Sequence, residues 1–228
     1  ESGGGYTWGE NSRERQLTRW SNDPVCDSPG EVIYLRDEDT GEIWTPTPLP
    51  IREETPYIVR HGQGYTQFEH DSHGISVELT VMVAPDDPVK LSRLVIRNRS
   101  NRVRQIRVTA YAEWVLGPSR PTSSPYVVTA IDRDTGALFA RNPWRVEFAD
   151  RTAFLDLGGT QTFWSGDRVE FIGRNGTLAD PSGLARSAPT GVRRTGAGLD
   201  PCAILATTVR LEPGESETVL VLLGDAAD

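Results

Sequence analysis

Residues 57–85, YIVRHGQGYTQFEHDSHGISVELTVMVAP, alternate apolar and polar side chains in two runs. In the second run Ile75, Val77, Leu79, Val81 and Val83 share one face, which is the period of a strand with one buried side. The intervening Asp71-Ser72-His73-Gly74 is a turn by composition. A stretch of this kind belongs to an antiparallel β protein, and the rest of the chain is read outward from it.

Downstream, VKLSRLVIRN (89–98) and VRQIRVTAYAEWVL (103–116) match in length across a polar RSNR segment, which predicts a long hairpin. Further strands are expected at 126–131, 137–141, 144–149, 152–157, 167–173, 202–211 and 217–224, with turn chemistry at Asp132–Gly136 and Glu212–Glu215. Upstream, VIYLRDEDTGEIWTPTP (32–48) predicts one more hairpin across its Asp-Thr-Gly turn. More than ten short strands without a helical period predict an all-β protein, a large antiparallel β-sandwich.

Two regions break the pattern. One is GYTWGENSRERQLTRWSNDP (5–24), with two tryptophans, a tyrosine and three arginines and no period, so residues 1–30 are read as an arm and 31–228 as the sandwich. Having no core of its own, the arm is expected to need another surface to order it. The other is the Gly-, Pro- and Arg-rich loop 173–201, too long for an idle connection and therefore a candidate for binding.

The net charge of −8 gives no electrostatic reason to bind nucleic acid or an anionic membrane surface. No apolar run reaches the ~20 residues of a membrane span, and no signal peptide opens the chain, so direct membrane contact is not expected. Cys26 and Cys202 are the only cysteines and read as reduced thiols of a cytoplasmic protein. The chain opens at Glu1 without a methionine, which reads as a piece of something longer.

The sequence contains no self-sufficient active site. His61, His70 and His73 lie close together but lack the further ligands of a zinc site, so no metal is expected. Paired carboxylates such as Asp86-Asp87 stand beside prolines at strand boundaries, there is no G-x-S-x-G elbow, and the glycine clusters open no helix. A mutarotase-like pairing of one of these histidines with Glu69 or Glu78 is the remaining enzymatic alternative. Six tryptophans point instead to carbohydrate, whose apolar faces stack on indoles. Trp114 and Trp144 lie in strand-like runs and are expected to fill the sandwich, whereas Trp8, Trp20 and Trp164 lie beside turns and are expected to be exposed.

Several segments in order, GGYTWGENSRERQLTRWSNDPV, YLRDEDTGEIWTPTPLPIR, RHGQGYTQFEHDSHGI, PDDPVKLSRLVIRNRS, AYAEWVLG, FIGRNG and AGLDPCA, give the chain a resemblance to the inverting glycoside phosphorylases. It is most similar to their N-terminal sandwich region as found in cyclic β-1,2-glucan synthases and β-1,2-oligoglucan phosphorylases. The resemblance implies a galactose mutarotase-like supersandwich that precedes an (α/α)6 barrel. That barrel holds the catalytic acid, and phosphate is a co-substrate, so this chain is expected to be no enzyme by itself and to need no cofactor. The resemblance further implies a homodimer, a β-glucan oligosaccharide and the barrel as partners, and a cytoplasmic location, at the inner membrane for a synthase. It makes Tyr6, Trp8, Asn11, Arg13 and Trp20 of the arm candidates for lining a sugar subsite, with Trp164, Arg174 and Asn175 as further candidates. A structural module with no sugar affinity is the alternative.

Overall fold

The computed structural model describes residues 5–21, 23, 25, 27–185 and 192–227. Among them the chain forms β1 (Gln16–Thr18), β2 (Glu31–Asp37), β3 (Ile43–Trp44), β4 (Tyr57–Gly62), β5 (Tyr65–Ser72), β6 (Ile75–Val83) and β7 (Val89–Asn98). There follow β8 (Arg104–Gly117), β9 (Val128–Ile131), β10 (Leu138–Arg141), β11 (Arg151–Asp156), β12 (Phe163–Asp167), β13 (Pro201–Leu211) and β14 (Ser216–Ala227). Two short helices, α1 (Arg120–Ser123) and α2 (Arg168–Ile172), complete the set.

One sheet has the order β12-β13-β8-β2-β3, with β1 also on β8, and the other has the order β4-β5-β6-β7-β14-β11-β10-β9. Every pairing is antiparallel, as expected for a sandwich. Residues 57–83 are three strands and not two, because the first run turns at Gln63-Gly64, where Gly64 has φ +80°. A Cβ on Gly62 would lie 2.1 Å from the Tyr65 ring, so glycine there lets that exposed ring lie across the hairpin. The second turn carries φ +51° at His73 and +75° at Gly74, the left-handed pair that matches strand twist.

The predicted 89–116 hairpin does not form. β7 pairs with β6 and β14, while β8 pairs with β13, β2 and β1 in the other sheet. The reason lies in β8 itself, whose residues are buried on both faces from Ile106 to Leu116, so it needs cover on both sides. Residues 99–103 therefore cross between the layers. Buried Asn98 pins this crossing, its Nδ2 donating to Arg102 O at 2.7 Å and to Leu211 O at 3.0 Å, and its own carbonyl accepts from Gly214 at the β13–β14 crossing.

Two apolar clusters lie between the sheets, one around Trp114, Leu138, Leu155 and Leu205, the other around Leu35, Trp44, Leu79, Leu94 and Val108. A third covers the outer face of the six-stranded sheet, where Tyr34, Tyr111 and Ile204 meet Phe171 and Leu184. Two expected strands are helical turns. At 167–173 Asp167 caps α2 by accepting from Val169 N at 3.1 Å, and Gly173 closes it with φ +88°. Within 144–149 a 3-10 turn covers Val146–Phe148. Cys202 is a free thiol whose burial pushes its pKa up and leaves it inert, whereas Cys26 lies outside the described residues.

Candidate functional site: the aromatic arm

The arm is not separate from the sandwich as the 1–30 boundary implies. Its residues 16–18 are β1, with Gln16 opposite Gly117 and Thr18 opposite Trp114 on β8, and Leu17 is buried in the core cluster of Trp114. The surface that orders the arm is therefore in the chain itself. Arg15 is buried with it: Nη2 meets Asp225 of β14 at 2.8 Å, Nη1 meets Glu10 at 2.8 Å, and the guanidinium stands 5.7 Å from the Phe148 ring centre. Glu31 holds the other strand of the arm, its Oε1 accepting at 2.6 Å from both Thr7 Oγ1 and Thr18 Oγ1.

Above this base the arm folds into a tight hairpin, with Trp8 bridging to Gln16 and Gly9 N donating to Arg15 O at 3.0 Å. Asn11 Oδ1 accepts from Arg13 N at 2.9 Å and Glu14 N at 3.2 Å, so its side chain is engaged in building the turn, while Arg13 stays exposed. Tyr6 and Trp20 stack at 5.7 Å and 27°, and Trp8 and Trp20 keep 48% and 43% of their surface exposed. Immobilised rings that face water are suited chemically to stacking on an apolar ligand face.

The remaining candidates lie elsewhere. Trp164 on β12 is half-buried and packs against the core between the sheets. Arg174 and Asn175 are exposed in the turn after α2, on the outer side of the six-stranded sheet. The loop they open is partly ordered by Leu178, whose carbonyl accepts from Tyr34 Oη at 2.8 Å, and by a 3-10 turn at Ser182–Leu184; residues 186–191 of it lie outside the described part.

Trp144 departs from expectation. It is 69% exposed and stacks on Tyr126 at 5.1 Å and 13°, beside exposed Val146. The misleading signal was the alternation of Trp144, Val146 and Phe148; the informative one was Asn142-Pro143, whose Asn Oδ1 accepts from Trp144 N and ends the strand.

The histidines form no dyad of the mutarotase kind. His61 meets Thr66 at 3.1 Å, Glu69 pairs with Arg60, and Glu78 lies 3.6 Å from Arg93. His70 and His73 instead share Glu53, at 2.7 and 2.6 Å, a clamp that fastens the loop before β4 onto the β5–β6 turn. No group of three or more metal-ligating side chains occurs among the described residues.

Comparison with known proteins agrees with this architecture. The family model described as the supersandwich domain of glycosyl hydrolase 94 matches residues 1–228. The cyclic β-(1,2)-glucan synthase NdvB of Rhizobium meliloti is 38% identical over 98% of this chain, and an N,N′-diacetylchitobiose phosphorylase of Vibrio proteolyticus is 25% identical over 97%. The chain spans only 8% and 28% of the lengths of these relatives. A protein of Escherichia coli K12 assigned as an aldose 1-epimerase shares the fold at a TM-score of 0.55 with 8% identity, the match covering 94% of this chain and 90% of that one. By the match along its whole length and by its two-layered antiparallel sheets, this chain belongs to the glycosyl hydrolase 94 supersandwich family.

Proposed function

We propose that the chain serves as the non-catalytic N-terminal domain of a β-glucan-active inverting glycoside phosphorylase or cyclic β-1,2-glucan synthase. In this reading it works in the cytoplasm, borders the sugar site of a barrel that uses phosphate, and takes part in a dimer contact. The observation that carries the reading is the arm: Trp8 and Trp20 stay about half exposed, with Tyr6 stacked on Trp20, on a base locked by Arg15, Leu17 and Glu31. Rings fixed in this way lose little freedom on meeting a pyranose. Isothermal titration of the chain with β-1,2-gluco-oligosaccharides tests it directly. In the full-length protein Trp8→Ala lowers kcat/KM several-fold, while the stability of the 228-residue chain changes by no more than about 0.5 kcal/mol, since the ring is half exposed. Unchanged kinetics would remove the arm from the sugar site.

The stacked Tyr126–Trp144 pair with Val146 supports a second reading, a packing module without sugar affinity, because this patch offers apolar surface to a protein neighbour. Under that reading Trp144→Ser, and not Trp8→Ala, weakens the assembly, which sedimentation of the full-length protein would detect.

A further inference from the structure

Between the two sheets, where the two inner apolar clusters meet, the core is interrupted by a cleft of about 300 Å³. Ile33, Phe68, Leu79, Val81, Val221 and Leu223 form its apolar walls. Across it runs an ion pair from one layer to the other: Lys90 of β7 reaches Glu31 of β2. Ser92 lies beside Lys90 on the same strand face, and exposed Gly5 of the arm and His61 of β4 stand at the lining where it meets solvent.

Three features separate this cleft from a packing defect. Lys90 is the only lysine among 24 basic residues, and it is placed inside the sandwich with its side chain 16% exposed. A Lys–Glu pair there contributes little to stability, since apolar residues of similar volume commonly replace such pairs without loss. Its hydrogen-bonding capacity is also incomplete. Glu31 takes Thr7 and Thr18 on Oε1 and Lys90 on Oε2, but among the described residues Glu31 is the one partner of the Lys90 ammonium, which has three donors, and none receives Ser92 Oγ. Unused donors beside apolar walls call for a molecule that brings acceptors and an aliphatic face together.

We propose that this inter-sheet cleft is a binding site for a neutral, hydroxylated ring of monosaccharide size, distinct from the aromatic arm. Neutrality follows from the pair itself. Lys90 is already compensated by Glu31, so a carboxylate or phosphate would enter beside the Glu31 carboxylate, whereas a hydroxyl can accept from Lys90 and donate to Glu31 or Ser92. The cleft volume lies at the lower end of small-molecule sites and suits one ring, not a chain.

Methyl-labelled protein titrated with D-glucose and followed by NMR tests the site. Glucose should give saturable shifts at Ile33, Leu79, Val81 and Leu223, while gluconate and octanoate leave those methyls unmoved. The double variant Glu31→Gln/Lys90→Met removes both charges together, keeps an Oε1 to accept from Thr7 and Thr18 and should fold with the arm in place, yet weaken glucose binding at least about tenfold, as expected for a lost hydrogen bond to a charged group. Val81→Phe, which fills the cleft, gives the same loss by sterics. Absence of saturable shifts, shifts retained in both variants, or a preference for gluconate or octanoate would each overturn the proposal. Glucose shifts confined to the indole N–H signals of Trp8 and Trp20, read on 15N-labelled protein, would overturn it too while supporting the arm, so the two sites are separable.

Discussion

Glu53 shows how a single carboxylate can decide a local structure. Burial pushes its pKa up, but hydrogen bonds from His70, Ser72 and His73 outweigh this and hold the group below its ordinary value of 4.5. A folded-state pKa below the unfolded one adds stability that is complete above the ordinary glutamate range and is lost as pH falls through the folded value. The urea midpoint should therefore decline on acidification below about pH 4.5. Glu53→Gln should cost about 1–3 kcal/mol near neutral pH and flatten part of that decline. The turn at Asp71–Gly74 was legible from its composition. Its partner was not, because Glu53 is brought there by the loop before β4 and no periodic pattern marks it.

Among the elements, β1 and β8 separate what local pattern can specify from what it cannot. Alternation over 75–83 placed a strand correctly, since half-buried strands write their environment into every second residue. The partner of β8 was misread because a strand buried on both faces carries no such mark, and length matching then favoured the sequence neighbour. Similarly, QLT has too few residues for any period, so β1 was concealed inside the arm. Its docking depends on close backbone approach: a Cβ on Gly30 would lie 2.2 Å from Arg19 O. Gly30→Ala should loosen the arm at a cost of roughly 1–3 kcal/mol, seen as faster tryptic cleavage at Arg13 or Arg19. Unaltered cleavage would mean that Leu17, Arg15 and Glu31 hold the arm without that close approach.

At the scale of the whole molecule the six-stranded sheet is a middle layer, with the inter-sheet core on one side and the Tyr34–Phe171–Leu184 layer on the other. Amides of β8 should consequently be the slowest to exchange with deuterium, and those of edge strands β4 and β9 among the fastest. The all-β sandwich was readable from strand count and turn spacing; the three-layer arrangement was not, since it rests on α2 and the loop after it. The Arg15–Asp225 ion pair joins positions 210 residues apart, one in the opening hairpin and one in the last strand. On a ribosome adding ~5–20 residues per second, Arg15 would wait roughly 10–40 s for Asp225 to be made. For that interval Trp8 and Trp20 stay on an incompletely fastened hairpin that chaperones can reach, and the arm, synthesised before the strands that hold it, is among the last parts of the sandwich to be locked.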